Sequence, residues 1–151
     1  MATPSSDRPA PACPLCAAAG GEVVWQDEHL RVVLPAEPEY PGFTRVIWRA
    51  HVAEMTDLAP AQRDHLMQVV WRVERAQREA LAPDKINLAS LGNVVPHLHW
   101  HVIPRWRDDR HFPQSVWSAP AAGRDAEARA RRARIAERLS AYRAALSALA
   151  G

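Results

Sequence analysis

His97-Leu98-His99-Trp100-His101-Val102-Ile103-Pro104 is the stretch on which the fold turns. Side chains of an extended strand alternate between its two faces. Residues 97–103 therefore set His97, His99 and His101 on one exposed face. Leu98, Trp100 and Val102 share the other, where a helix can bury them, and Pro104 closes the run. Such a strand needs neighbours. Residues 85–91, broken by Gly92-Asn93, read as the strand before it. Upstream, residues 23–25, Leu30–Leu34 and Thr44–Trp48 read as three more, separated by the turn-forming stretches 26–29 and 35–42. Pro60 sits where a helix begins. Leu66, Val69, Val70, Val73, Ala76, Ala80 and Leu81 then recur in steps of three and four until Pro83 stops them. A second helix is predicted over 124–150, with Ile135, Leu139, Tyr142, Leu146 and Leu149 inward and arginines outward. Strands, a long helix and two further strands predict an α+β fold. Its antiparallel sheet would have about five strands, with the long helix on one face and a C-terminal helix.

The 151 residues suit one domain, read here as a Pro-, Ala- and Ser-rich tail at 1–12, a domain over 13–117 and a helical extension over 118–151. Apolar residues make up 48% and charged residues 24%, ordinary for a globular protein. A net charge of +2 argues against nucleic acid or a membrane surface as partner. No stretch reaches the roughly 20 apolar residues of a membrane span, and the tail lacks a signal peptide's apolar centre, so a cytoplasmic protein is expected. The two cysteines, Cys13 and Cys16, are spaced Cys-x-x-Cys. In a reducing compartment that spacing suits a metal knuckle or a redox pair, or marks two unligated thiols.

Three alternating imidazoles are poor strand formers and poor packing, which leaves three readings. Imidazole is unprotonated near neutral pH and still nucleophilic, so one ring can attack phosphorus while its neighbours bond the phosphoryl oxygens. A His-x-His pair on a strand can also chelate, and a third histidine could complete an open zinc centre. The last reading is surface histidines without a role. Around the strand, Gly92 lets the backbone approach a ligand, and the loop amides with Asn93 and Val94 can bind phosphate oxygens. Asn87 offers another amide, and Arg105, just past the strand, can draw in an anion.

The run His97-Leu98-His99-Trp100-His101-Val102-Ile103 resembles the signature of the histidine triad family of nucleotide hydrolases and transferases. Gly92-Asn93-Val94-Val95 before it and Pro104-Arg105 after it look like that family's flanking segments. So do Trp25-Gln26-Asp27-Glu28-His29-Leu30, Pro41-Gly42 and Val46-Ile47-Trp48-Arg49-Ala50-His51-Val52 upstream. The resemblance implies an enzyme acting at the α-phosphate of a dinucleoside polyphosphate or nucleoside phosphoramidate. His99 would be the nucleophile, forming a nucleotidyl-histidine, with His101 and His97 flanking it. It also implies a homodimer whose sheet runs across both subunits, and a structural zinc held by Cys13, Cys16, His51 and His97. The chain departs from the family at Pro35, where relatives carry an acid for the ribose, so Glu37 becomes the ribose candidate. Two other readings stand beside the enzyme: a nucleotide-binding or signalling module with incidental turnover, and a metalloenzyme using all three histidines as ligands.

Overall fold

In the computed structural model, which describes residues 12–149, two adjacent strands of the sheet carry His99, His101 and the residues paired with them. The predicted tail falls almost wholly outside the described residues, as does Ala150 at the end of the second predicted helix. A one-turn helix α1 (Pro14–Ala17) leads into the hairpin β1 (Glu22–Gln26) and β2 (Leu30–Leu34). Asp27 closes that hairpin, its Oδ1 accepting the amides of His29 and Leu30. Then come β3 (Thr44–Trp48), a 3₁₀ turn (Met55–Asp57), the long helix α2 (Pro60–Leu81), β4 (Lys85–Ala89), β5 (His99–Arg105), α3 (Asp125–Ala136) and α4 (Leu139–Ser147). All strand pairs are antiparallel, in the order β1-β2-β3-β5-β4. The α+β expectation is met, with β2, β3 and α2 on the predicted residues.

Helices α2 and α4 cover one face of the sheet. Leu30, Val32, Val46, Trp48 and Val102 meet Leu66, Val69, Val70, Val73, Tyr142 and Leu146 there in one buried cluster. Polar contacts fix the layers as well. Gln77 of α2 donates its Nε2 to the carbonyls of Gly42 and Val102 at 2.9 and 2.8 Å, and the Tyr142 hydroxyl lies 2.6 Å from Thr44 Oγ1. Pro60 starts α2 where its missing N–H costs nothing. The helix stops at Ala82, in the left-handed conformation ahead of Pro83.

Three expectations need correction. β5 starts at His99, not His97, because Leu98 gives its amide to Val52 outside the sheet. The strand also runs through Pro104 to Arg105. Its pairing with β3 ends at Val102, so only β4 borders the strand there and the proline's missing donor breaks no ladder on the other side. The single C-terminal helix is two, interrupted at Glu137-Arg138, with Ile135, Tyr142 and Leu146 in the core on either side of the break.

The face carrying the histidines is not exposed either. Cys13 and Leu15 pack over Val33 and Ile47, while Tyr40 and Phe43 pack on Ile103. These covers bury His97, His99 and His101, with His99 keeping 9% exposure. Among the described residues, no helix is long and apolar enough to cross a membrane.

Candidate active site and metal cluster

His99 opens β5 opposite Ile47, and its Nδ1–H donates to the carbonyl of His97. In a neutral imidazole with Nδ1 as donor, Nε2 keeps its lone pair. Burial pushes His99 below its ordinary pKa, the bond to the His97 carbonyl pulls it back, and the Arg45 cation lowers it again. The balance favours the free base. His101 is held lower still, at about 3, by burial, then by His99 and by Arg45. Its ring is boxed edge-on by His99, Phe43 and Trp117, with centroids 4.8, 5.6 and 5.1 Å away. His101 is therefore neutral, with one N–H to offer a phosphoryl oxygen.

His97 faces elsewhere. Its Nε2 donates to the Trp48 carbonyl at 2.6 Å, so Nδ1 carries the lone pair. That atom lies 3.4 Å from Cys13 Sγ, 3.5 Å from Cys16 Sγ and 3.3 Å from His51 Nδ1, and Cys16 Sγ is 3.4 Å from His51 Nδ1. Zinc bonds of about 2.3 Å to sulfur and about 2.0–2.1 Å to nitrogen set tetrahedral edges of about 3.5 Å for S to N and about 3.3 Å for N to N. These four separations fit those edges, all four atoms lie within 4.8 Å of one another, and two thiolates with two imidazoles are an ordinary zinc donor set. Among the described residues this is the single cluster of its kind, and of the triad it takes His97 alone. A metal shared by all three histidines has no support in this geometry.

The other sequence candidates are dispersed. Gly92, at φ +72, lines a cavity of about 380 Å³ together with Ser90, His97 and His99. Ser90 Oγ ties that loop to the His99 carbonyl at 2.9 Å. Asn93 and Val94 lie on the exposed loop outside the cavity wall, with Val94 93% exposed. Asn87 Oδ1 accepts from Arg105 Nη1 at 2.7 Å, and Glu37 sits 3.8 Å from Arg45.

Arg105 was expected beyond the strand as an anion attractor. It lies within β5, 2% exposed, with its Nε and Nη2 on the Asp109 carboxylate at 2.8 and 3.1 Å. Its charge is satisfied internally. Asp109 also accepts the Tyr40 hydroxyl and the amides of Trp106, His111 and Phe112, which fixes the segment that carries Trp117 to His101. The sequence reading missed Asp109 and Arg45. Alternation along β3 places Arg45 on the face of Ile47, but only the β3–β5 register shows that it opposes His101.

Residues 18–108 match the HIT domain, a span containing all five strands, α2 and the three histidines. The chain belongs to the HIT family. Among HIT relatives, the AP-4-A phosphorylase of Mycobacterium tuberculosis strain H37Rv is 30% identical over 98 residues, 61% of this chain and 50% of that protein. The match thus spans half of the relative's length. A histidine triad protein from Bradyrhizobium japonicum superposes with a TM-score of 0.62 at 29% identity, covering 80% of this chain and 92% of the other. A Zn-bound histidine triad family protein from Mycobacterium smegmatis gives 0.56 at 28% identity, with 86% and 97% covered. Membership in the HIT family supports nucleotide hydrolase or transferase activity.

Proposed function

We propose that this HIT protein hydrolyses a nucleotide at its α-phosphate through a nucleotidyl-His99 intermediate. The substrate is a dinucleoside polyphosphate or a nucleoside phosphoramidate. The observation that carries this reading is the bond from His99 Nδ1–H to the His97 carbonyl, which leaves Nε2 with a lone pair on a neutral ring. Nε2 attacks the α-phosphorus. A P–N bond forms as the bond to the leaving group breaks; a polyphosphate departs with the electron pair as the anion, and an amine departs with that pair after its nitrogen takes a proton from solvent. Water then attacks phosphorus, the P–N pair returns to Nε2, and the proton shed by water passes to solvent. Neutral His101 donates to a phosphoryl oxygen as charge builds there. Gly92, Asn93, Val94 and Asn87 are the proposed nucleotide contacts; Glu37, the ribose candidate of the sequence, stands instead beside Arg45 at the His101 end. A module that only binds nucleotide would not need a base held in this tautomer. The phosphorylase named among the relatives supports a dinucleoside polyphosphate as substrate.

Cys13, Cys16, His51 and His97 are the proposed ligands of a structural zinc. When bound, it supplies a crosslink between the N-terminal turn, the segment after β3 and the entry to β5. A homodimer would form at the β4 edge of the sheet, where Leu88 and Leu91 are exposed. The test is release of adenosine monophosphate from diadenosine tetraphosphate and from an adenosine phosphoramidate, by wild type and by folded His99→Ala. Turnover by wild type and at least a roughly thousandfold loss in the variant are expected. Equal rates in the two proteins would remove His99 as nucleophile, and no turnover by wild type would favour the binding module.

A further inference from the structure

Among the described residues, Arg45 is the one cation paired across the sheet with a triad histidine. The register pairs it with His101, and alternation puts its side chain on the face shared by His101, Ile47 and His99. Its Nε is sealed from solvent with no hydrogen-bond partner among the described residues. A buried donor left unmet in this way is rare in a folded protein. The carboxylate nearest the guanidinium, Glu37, is 3.8 Å from Nη2, too long for a close charge-assisted bond, with the two side chains 26% and 41% exposed. Phe43 lies under the group, 6.0 Å from ring centroid to Cζ, and holds it over the sheet. Arg45 is thus positioned, half-buried and loosely partnered. Arg105, the arginine that the sequence marked, is none of these.

The two ends of β5 differ. The Gly92 cavity lies at its start, walled by Met55, Leu98 and Trp100 as well as by His97 and His99, whereas Arg45 stands at the His101 end with Phe43 and Trp117. A phosphorus in reach of His99 Nε2, with its nucleoside toward the cavity, directs its leaving group toward the His101 end. We propose that Arg45 binds the phosphate chain of the leaving group, making this site selective for substrates that expel a polyphosphate over those that expel an amine. The inference rests on the α-phosphate reading above. When the bond from phosphorus to the bridging oxygen breaks, that oxygen leaves with the electron pair. The guanidinium then meets the new negative charge with two parallel N–H donors, a geometry that suits phosphate. An amine leaving group gains nothing from it.

Arg45→Gln and Arg45→Lys would be compared with wild type on diadenosine tetraphosphate and on adenosine phosphoramidate. Inhibition by inorganic tripolyphosphate would be measured beside them. For Arg45→Gln the ratio of kcat/KM, tetraphosphate over phosphoramidate, is expected to fall about tenfold or more, as for loss of a charge-assisted bond. The tripolyphosphate inhibition constant should rise by a similar factor, and Arg45→Lys should recover part of both. An unchanged ratio with equal losses on both substrates would overturn the proposal, as would failure of both variants to fold, because Arg45 would then be a structural cation. Wild type inert on both substrates, yet still binding tripolyphosphate through Arg45, would sink the α-phosphate reading and leave the anion subsite standing.

Discussion

Asp109→Asn removes one negative charge from a site closed to water while barely changing its shape. Asp109 is fully buried and faces Arg105, itself almost fully buried. Taking away one partner of a buried ion pair costs about 3–5 kcal/mol, because the other charge stays in a medium that cannot solvate it. The carboxyl itself provides a second measure. Burial alone would raise its pKa, but the bonds from Arg105 and from the His111 and Trp106 amides outweigh that and bring it from 3.8 to about 2. A shift of that size corresponds to about 2–3 kcal/mol at about 1.4 kcal/mol per pKa unit. The two routes meet near about 3 kcal/mol. In a chain of this size, a loss of 1 kcal/mol lowers Tm by about 2–4 °C, so a fall of about 6–12 °C is expected. Thermal unfolding at pH 7 reads it directly. A depressed carboxyl stabilises the fold fully above its unfolded pKa and loses that contribution as pH drops through the folded value. The gap between wild type and variant should therefore hold above about pH 4 and shrink between about pH 4 and pH 2. A Tm change under about 2 °C, or a gap indifferent to acid, would refute the reasoning.

The remaining predictions concern the metal cluster and one turn. Wild type should carry one zinc per chain, and a chelator should lower its Tm. Cys13→Ala should lose the ion and melt at the lower temperature without further response to chelator; full zinc content in that variant, read by atomic absorption, would count against the four-ligand site. Gly42 has φ +89, and a Cβ there would sit 2.4 Å from Leu81 Cδ1 in the core. Gly42→Ala should thus cost about 2–4 kcal/mol by combined backbone strain and overpacking. An unchanged midpoint in urea unfolding would show that the turn can yield.

Much of the frame was legible because prolines and apolar periodicity mark it. Pro60 and Pro83 bracket α2, and the β2 and β3 runs carry their own turn residues at each end. Short elements escaped. The four residues of α1 and the three of the 3₁₀ turn span too little chain for any period to register. The interruption at Glu137-Arg138 has no glycine or proline to announce it, and the apolar spacing runs through it unbroken. At the site, alternation correctly put His99 and His101 on one face. Their burial was hidden, because Cys13, Leu15 and Phe43 come from segments far away in the chain. Arg105 and Arg45 show the same limit. One looked free and is locked to Asp109; the other looked ordinary until the strand register set it beside His101.

The group that orients His99 is a peptide carbonyl. Any amino acid at position 97 still presents that oxygen, so an alanine scan of the histidine run would remove imidazoles one by one and never touch the acceptor. His97→Ala would delete a metal donor and report on the cluster while the nucleophile's tautomer kept its partner. The arrangement is buffered against side-chain substitution. To swap the tautomer of the neutral ring, the path of the chain itself would have to change, as by a shift of the Leu98 amide away from Val52.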